Sequence, residues 1–230
     1  MKNLTLVIPA KSEEYSLPKV LHEIKNINCK KLIVLSKSDS STIPLIKNFK
    51  CKIIIQKNTG YGNALKDGIN NVATDYLCIF NADGSFDPNY LKIMLNKAIL
   101  YKSFVFATRY AKNGGSLDDS LLTFIGNKIF TFIGKTFFKL KISDILFTYI
   151  LGETSKFKRL KLNNSDFRIC VEIPVKIKIN NFKYCSIGSL ERKRLGGVKK
   201  VNEFKDGFLI LLELIKSYFI PYKKKKLNIF

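Results

Sequence analysis

The chain has 230 residues, 46% of them hydrophobic, enough for one α/β domain with a sizeable core and no need of disulfide staples. Forty Lys and Arg against eighteen Asp and Glu give a formal charge of +22, which favours anionic ligands or surfaces. No helix-turn-helix, zinc spacing or aromatic-basic ribbon accompanies that charge, so nucleic acid is not expected as a partner, and no run reaches the roughly 18 apolar residues of a membrane span.

In chain order, Leu4 to Ile8 reads as a buried strand, too short for a secretory leader and closed by Pro9. Apolar Leu17, Val20, Leu21, Ile24 and Ile27 predict a helix over 17–27. A strand Lys31–Leu35, a polar loop 38–42, a short helix 43–49 and a strand Cys51–Ile55 follow. Gly60 to Gly62 forms a loop before a helix over 63–72. Tyr76 to Phe80 is a fourth strand, a helix runs from about Pro88 to Tyr101, and Phe104 to Thr108 is a fifth strand. Strand and helix alternate with short connections, which implies a mostly parallel sheet flanked by helices. Ligands of such sheets bind at the carboxyl ends of the strands, where these polar loops converge.

The second half is less regular. Residues 121–140 are strongly apolar and aromatic with interspersed Lys. Residues 167–175 suit a strand or a short helix. Tyr184 to Leu190 suits a strand before the basic loop 191–201, and Asp206 to Phe219 an apolar helix before Lys223–Lys226. The expected division is a main domain over 1–207 and an appended helix with a polybasic tail over 208–230.

Only five of the basic residues are Arg, at 109, 159, 168, 192 and 194. Low-GC codon usage accounts for many scattered lysines but would tend to remove arginines. The cysteines at 29, 51, 78, 170 and 185 form no CxxC pair, which points to a reducing compartment, with Cys51 and Cys78 as small buried hydrophobes.

The strongest local signal is Phe80-Asn-Ala-Asp-Gly-Ser-Phe-Asp-Pro88. A strand ends there and a carboxylate, Asp83, stands in a Gly-containing turn, where it can hold a hard divalent ion. An Asp-Gly turn ahead of a helix, with Asp87 as N-cap and Pro88 at its first position, accounts for the same letters. The glycines Gly60 and Gly62 permit close backbone approach to a ligand, and a tight strand-to-helix turn explains them equally well.

Taken together and in order, these segments resemble family 2 glycosyltransferases, more narrowly the dolichyl- or polyprenyl-phosphate sugar synthases. The resemblance runs through Val7-Ile-Pro-Ala10 with Glu13, Gly60-Tyr-Gly62, Asn81-Ala-Asp-Gly84, Arg109-Tyr110, Asp118-Asp-Ser120, Ser143-Asp144 and Arg194 to Val201, about residues 4–207. It implies a GT-A type, Rossmann-like fold with membrane-proximal C-terminal helices, and inverting sugar transfer from a UDP- or GDP-sugar to a lipid phosphate. It also implies a divalent metal, Mg²⁺ or Mn²⁺, held by Asp83 with Ser85 adding a contact. Pro9, Ala10, Glu13, Gly60, Gly62, Asn81 and Ala82 would line the donor pocket. Arg109, Arg192, Arg194 and Lys200 would bind diphosphate and acceptor phosphate, and Asp144 would lie near the acceptor. Asn81 stands where the family has an acidic residue, and Ser36-Lys-Ser-Asp39 where it has Asp-Asp-Gly-Ser. These departures make a weak or inactive, scaffold-like homologue the alternative. Nucleotidyl transfer to a sugar phosphate is disfavoured, because Pro9-Ala-Lys-Ser-Glu13 replaces a Gly-rich loop.

A phosphate acceptor is already anionic and needs no general base, only cations to place it against an anionic donor. Residues 121–140 and the helix before the lysine run would lie in the interface of an anionic membrane; the alternative is that both are core helices ahead of a disordered tail. The expected location is cytoplasmic and peripheral to a membrane, with a membrane-embedded partner subunit as a second means of attachment.

Overall fold

A computed structural model describes residues 1–196 and 200–219. Its first half alternates strand and helix: β1 (Leu4–Ala10), α1 (Ser16–Glu23), β2 (Lys30–Leu35), a 3₁₀ turn (Lys37–Thr42) leading into α2 (Ile43–Ile46), β3 (Lys52–Ile55), α3 (Tyr61–Asn70), β4 (Tyr76–Ile79), α4 (Tyr90–Tyr101) and β5 (Phe104–Thr108). The second half adds β6 (Gly115–Ser116), α5 (Leu121–Phe138), β7 (Ile150–Glu153), α6 (Thr154–Arg159), α7 (Ile169–Ile179), β8 (Tyr184–Gly188), β9 (Leu190–Glu191) and α8 (Glu203–Phe219).

Seven strands form one sheet in the order β3-β2-β1-β4-β7-β5-β8, and β6 pairs with β9 in a small second ladder. Every neighbouring pair in the large sheet is parallel except those of β7, which runs antiparallel to both β4 and β5. β1 is buried on both faces, which its continuous apolar run requires. Leu4, Leu6 and Ile8 meet Leu17 and Leu21 of α1 and Met94 of α4 on one side. Val7 meets Leu65 and Ile69 of α3 on the other, in a core that extends to Ile173 of α7 and Ile210 and Leu214 of α8. The expected domain boundary at 207/208 therefore falls inside α8.

Several expectations are corrected. β7 went unrecognised because its four residues, Ile-Leu-Gly-Glu, show neither alternation nor a long apolar run. The segment expected as strand or short helix is α7, which tolerates Pro174 six residues into the helix. α4 begins at Tyr90 rather than Pro88: the Asp87 carboxylate accepts a hydrogen bond from the Asn89 amide (2.9 Å), forming a turn before the helix instead of capping it. Cys51 is only partly buried, whereas Cys78 is fully enclosed, and all five cysteines are free thiols. Lys223–Lys226 lie outside the described residues.

Candidate active site

The carboxyl ends of β1 to β5 and β8 point to one edge of the sheet, and antiparallel β7 brings its amino end, preceded by Phe147 and Thr148, to the same edge. A cleft of about 670 Å³ opens there. Pro9, Ala10 and Glu13 after β1, Ser36 after β2, Gln56 after β3, Asn81, Ala82 and Asp83 after β4 and Arg109 after β5 all line it. Arg194, Lys200 and the first turns of α8 complete the wall. Among the described residues, eight acidic and five basic side chains line the cleft, a reversal of the balance of the whole chain.

Asp83 sits in the turn after β4. Its Oδ1 accepts hydrogen bonds from the Ser85 amide (2.9 Å) and the Ser85 hydroxyl (2.7 Å), and Asn81 Nδ2 donates to that hydroxyl (3.3 Å). Ser85 is thus spent on orienting the carboxylate. Oδ2 of Asp83 makes no hydrogen bond among the described residues, so one lone-pair face stays open. Gly84 takes φ +84°, and a Cβ there would fall 2.7 Å from Leu195. The turn is held from behind: the Leu195 amide donates to the Asp83 carbonyl (2.8 Å) and the Arg192 amide to the Ser85 carbonyl (2.8 Å).

The expected phosphate-binding cations are each paired. Arg192 lies outside the cleft lining; its guanidinium donates to the carbonyls of Gly84 (2.9 Å) and Phe86 (3.0 Å) and pairs with Glu23 (2.6 Å), clamping the Asp83 turn. Arg109 is buried and pairs with Asp144 through two nitrogens (2.7 and 3.1 Å) and with Glu191 (3.2 Å). Burial opposes its charge, but Asp144 and Glu191 outweigh that and hold it protonated. Asp144, itself 1% exposed, also accepts from Asn127 Nδ2 and does not reach the cleft surface. Its place is behind Arg109, which it orients. Arg194 pairs with Asp118 (2.5 Å) and Lys200 with Glu13, both within the cleft wall.

The two glycines have a packing reason. Cβ atoms on Gly60 and Gly62 would fall 2.2 Å from the Ser165 carbonyl oxygen and 2.4 Å from that of Asn164. Only glycine lets α3 start against this loop, which buried Glu172 organises by accepting from the amides of Asn163 (2.7 Å) and Asn164 (2.9 Å). Gly60 lines the cleft and Gly62 does not. Asp39, in the departed loop after β2, accepts from the Ser12 amide (2.9 Å) and so fixes the loop after β1.

Gln56, Phe147 and Glu191 are among the cleft residues that escaped sequence reading. Gln56 is buried at the end of β3, Phe147 stands before the unrecognised β7, and Glu191 closes β9 beside Arg109 and Ser116. Desolvation pushes the Glu191 carboxyl above its usual value against the opposing pull of Arg109. Local sequence gave no signal for the first two; Glu191 was hidden in a basic loop.

Among the described residues no group of three or more His, Cys, Asp or Glu could hold a metal by itself. A hard ion at Asp83 would draw its remaining ligands from a bound diphosphate and water, which suits one oriented carboxylate in an acidic cleft. No helix among the described residues is long and apolar enough to cross a membrane.

The family model of Glycosyl transferase family 2 matches residues 5–161. Uncharacterized glycosyltransferases of Mycobacterium tuberculosis and Mycobacterium bovis are 31% identical over 88 residues, which is 38% of this chain and 40% of theirs. The match thus spans about two fifths of the length of these curated relatives. Glucosyl-3-phosphoglycerate synthase from Mycobacterium tuberculosis, in complex with Mn²⁺, UDP-glucose and phosphoglyceric acid, superposes with a TM-score of 0.72 at 12% identity, covering 95% of this chain and 80% of that one. Mannosyl-3-phosphoglycerate synthase from Rubrobacter xylanophilus gives 0.71 at 12% identity, covering 97% and 78%. At these identities the likeness establishes the fold, and the expected GT-A type α/β architecture is borne out.

Proposed function

The chain belongs to glycosyl transferase family 2, and from that premise we propose that it moves a sugar from a UDP- or GDP-sugar to a lipid-borne phosphate at the cytoplasmic surface of an anionic membrane. The observation that carries this reading is Asp83: a carboxylate with one oxygen fixed by Ser85 and the other open, in a cleft that collects the strand ends. Asp83 would hold Mg²⁺ or Mn²⁺, and that ion, when bound, supplies the positive charge that neutralises the leaving diphosphate.

The chain's own residues do the rest. Pro9, Ala10, Ser36 and Gln56 shape the donor end of the cleft, and Arg192 locks the Asp83 turn so that the carboxylate needs no reorganisation. Arg194 and Lys200, at the cleft wall and about a third exposed or less, are the cations able to exchange their carboxylate partners for phosphate oxygens. Arg109 shapes the acceptor end through Glu191 and Asp144. A phosphate acceptor brings its own nucleophilic oxygen, so positioning and charge stabilisation suffice. Attachment to the membrane would be peripheral or through a membrane-embedded partner.

A second reading is supported by Glu191. A hydroxyl acceptor carrying a phosphate or carboxylate, of the kind named for the two phosphoglycerate synthases, would need a proton acceptor, and a desolvated carboxylate at the cleft can be one. The test is nucleotide release from a panel of UDP- and GDP-sugars with Mn²⁺ or Mg²⁺, offered short polyprenyl phosphates or phosphoglyceric acid. Asp83→Ala is expected to lower release by about a hundredfold or more, and Arg194→Ala to act chiefly on KM for the phosphate-bearing acceptor. Full activity of both variants would overturn the assignment; turnover with phosphoglyceric acid alone would replace the lipid by a soluble acceptor.

A further inference from the structure

α5 exposes a broad apolar stripe although Phe130, Ile133 and Phe138 pack on the core. Its buried stripe is Asn127, Thr131 and Gly134, while Leu121, Ile125, Ile129 and Phe132 are 47–75% exposed. The positions 121, 125, 129 and 132 form one face of a helix. The buried polar groups are consumed inside the protein: the Thr131 hydroxyl donates to Asn127 Oδ1 (3.1 Å) and accepts from the Ile145 amide (3.1 Å). α8 is apolar on both sides: Ile210 and Leu214 are buried in the core beside Glu213 and Ser217, while Phe204, Phe208, Leu212, Ile215 and Phe219 are 44–80% exposed at the same spacing.

The two helices lie side by side and run in the same direction, since Gly207 approaches Phe130 and Tyr218 meets the rings of Phe137 (5.3 Å) and Phe138 (6.2 Å). Phe137 and Tyr218 are each half exposed, so apolar surface runs across the helix pair at that end. At the other end, Thr123 of α5 and Ile210 of α8 line the cleft. A pair of helices that exposes so continuous an apolar surface meets something other than water.

Charge selects the occupant. α5 carries Lys128 and Lys135 and no acidic residue; on α8 Lys205 and Lys216 are exposed, whereas its three acidic residues are buried (Glu213) or half-buried (Glu203 and Asp206); and four further lysines, 223–226, follow in the sequence. We propose that α5 and α8 together form a docking face for the interface of an anionic lipid bilayer, which seats the acceptor side of the cleft at head-group level. The inference rests on the lipid-acceptor reading for its purpose, and its test needs no turnover.

The full chain would be sedimented with vesicles of phosphatidylcholine alone or mixed with phosphatidylglycerol. Binding is expected to the mixed vesicles and to weaken with salt. Phe132→Glu with Phe208→Glu is expected to lower it about a hundredfold, whereas Lys128→Gln with Lys216→Gln should cost about tenfold and only on the mixed vesicles. Circular dichroism and nucleotide release with a soluble acceptor should be unchanged in both. Undiminished binding by the Phe double variant, or no sedimentation of the folded chain, would overturn the proposal. So would a dimer that the Phe double variant converts to monomer, since a second copy would then be the occupant. Vesicle binding without turnover on any acceptor would leave the docking face standing and sink the transferase reading instead.

Discussion

Glu191 separates the two acceptor chemistries. Burial raises its carboxyl above the usual 4.5, with Arg109 and the Ser116 hydroxyl pulling the other way. A proton acceptor works only when ionised. If Glu191 serves a hydroxyl acceptor, kcat/KM should therefore climb as pH rises through its elevated pKa and level off above it. Glu191→Gln should abolish that limb and lower the rate about a hundredfold or more. If the acceptor is a phosphate, the variant should keep most of its rate and the limb should be absent. A pH–rate profile of both proteins decides. Asp83 could be found in the sequence because a strand end and an Asp-Gly turn are local features. The partners of Arg109 could not: Asp144 and Glu191 lie 35 and 82 positions away, and only the sheet brings them within 3.2 Å of the guanidinium.

At the scale of elements, glycine positions decide how closely helices approach the sheet. A Cβ on Gly68 would fall 2.3 Å from Val7 Cγ1, in the layer between α3 and β1. Val7 is fully buried and β-branched, so it cannot swing aside. Gly68→Ala is expected to destabilise by about 1–3 kcal/mol, although alanine is the better helix former; urea unfolding followed by circular dichroism checks it, and unchanged stability would mean that α3 shifts freely. The first half of the chain was legible because its strands carry long apolar runs bounded by turns. β7 was not, because Gly152 and Glu153 break its apolar pattern after two residues, and neither was the small ladder of β6 and β9, because strands of two residues are defined by their partners rather than by their own pattern.

Across the whole molecule, charge is segregated. The chain carries +22, yet acidic side chains outnumber basic ones in the described cleft lining, and Arg194 and Lys200 are already paired with Asp118 and Glu13. Such a cleft repels a bare diphosphate. Calorimetric titration with UDP or GDP should show affinity falling about tenfold or more when Mn²⁺ is replaced by EDTA. Equal affinity would mean that the basic side chains alone hold the diphosphate.

The sequence by itself determined the alternating first half of the fold and singled out the strand ends, with Asp83 among them, as the candidate site, since period and turn chemistry are carried by neighbouring residues. Tertiary structure alone decided which cations face the cleft, that Arg192 and Asp144 lie behind it, that Gly60 and Gly62 make room for another loop, and that α5 and α8 leave an apolar stripe outward as well as packing on the core. Each depends on groups far apart in the chain. Helical periodicity reports that a helix has an apolar face, and only packing reports which way that face points.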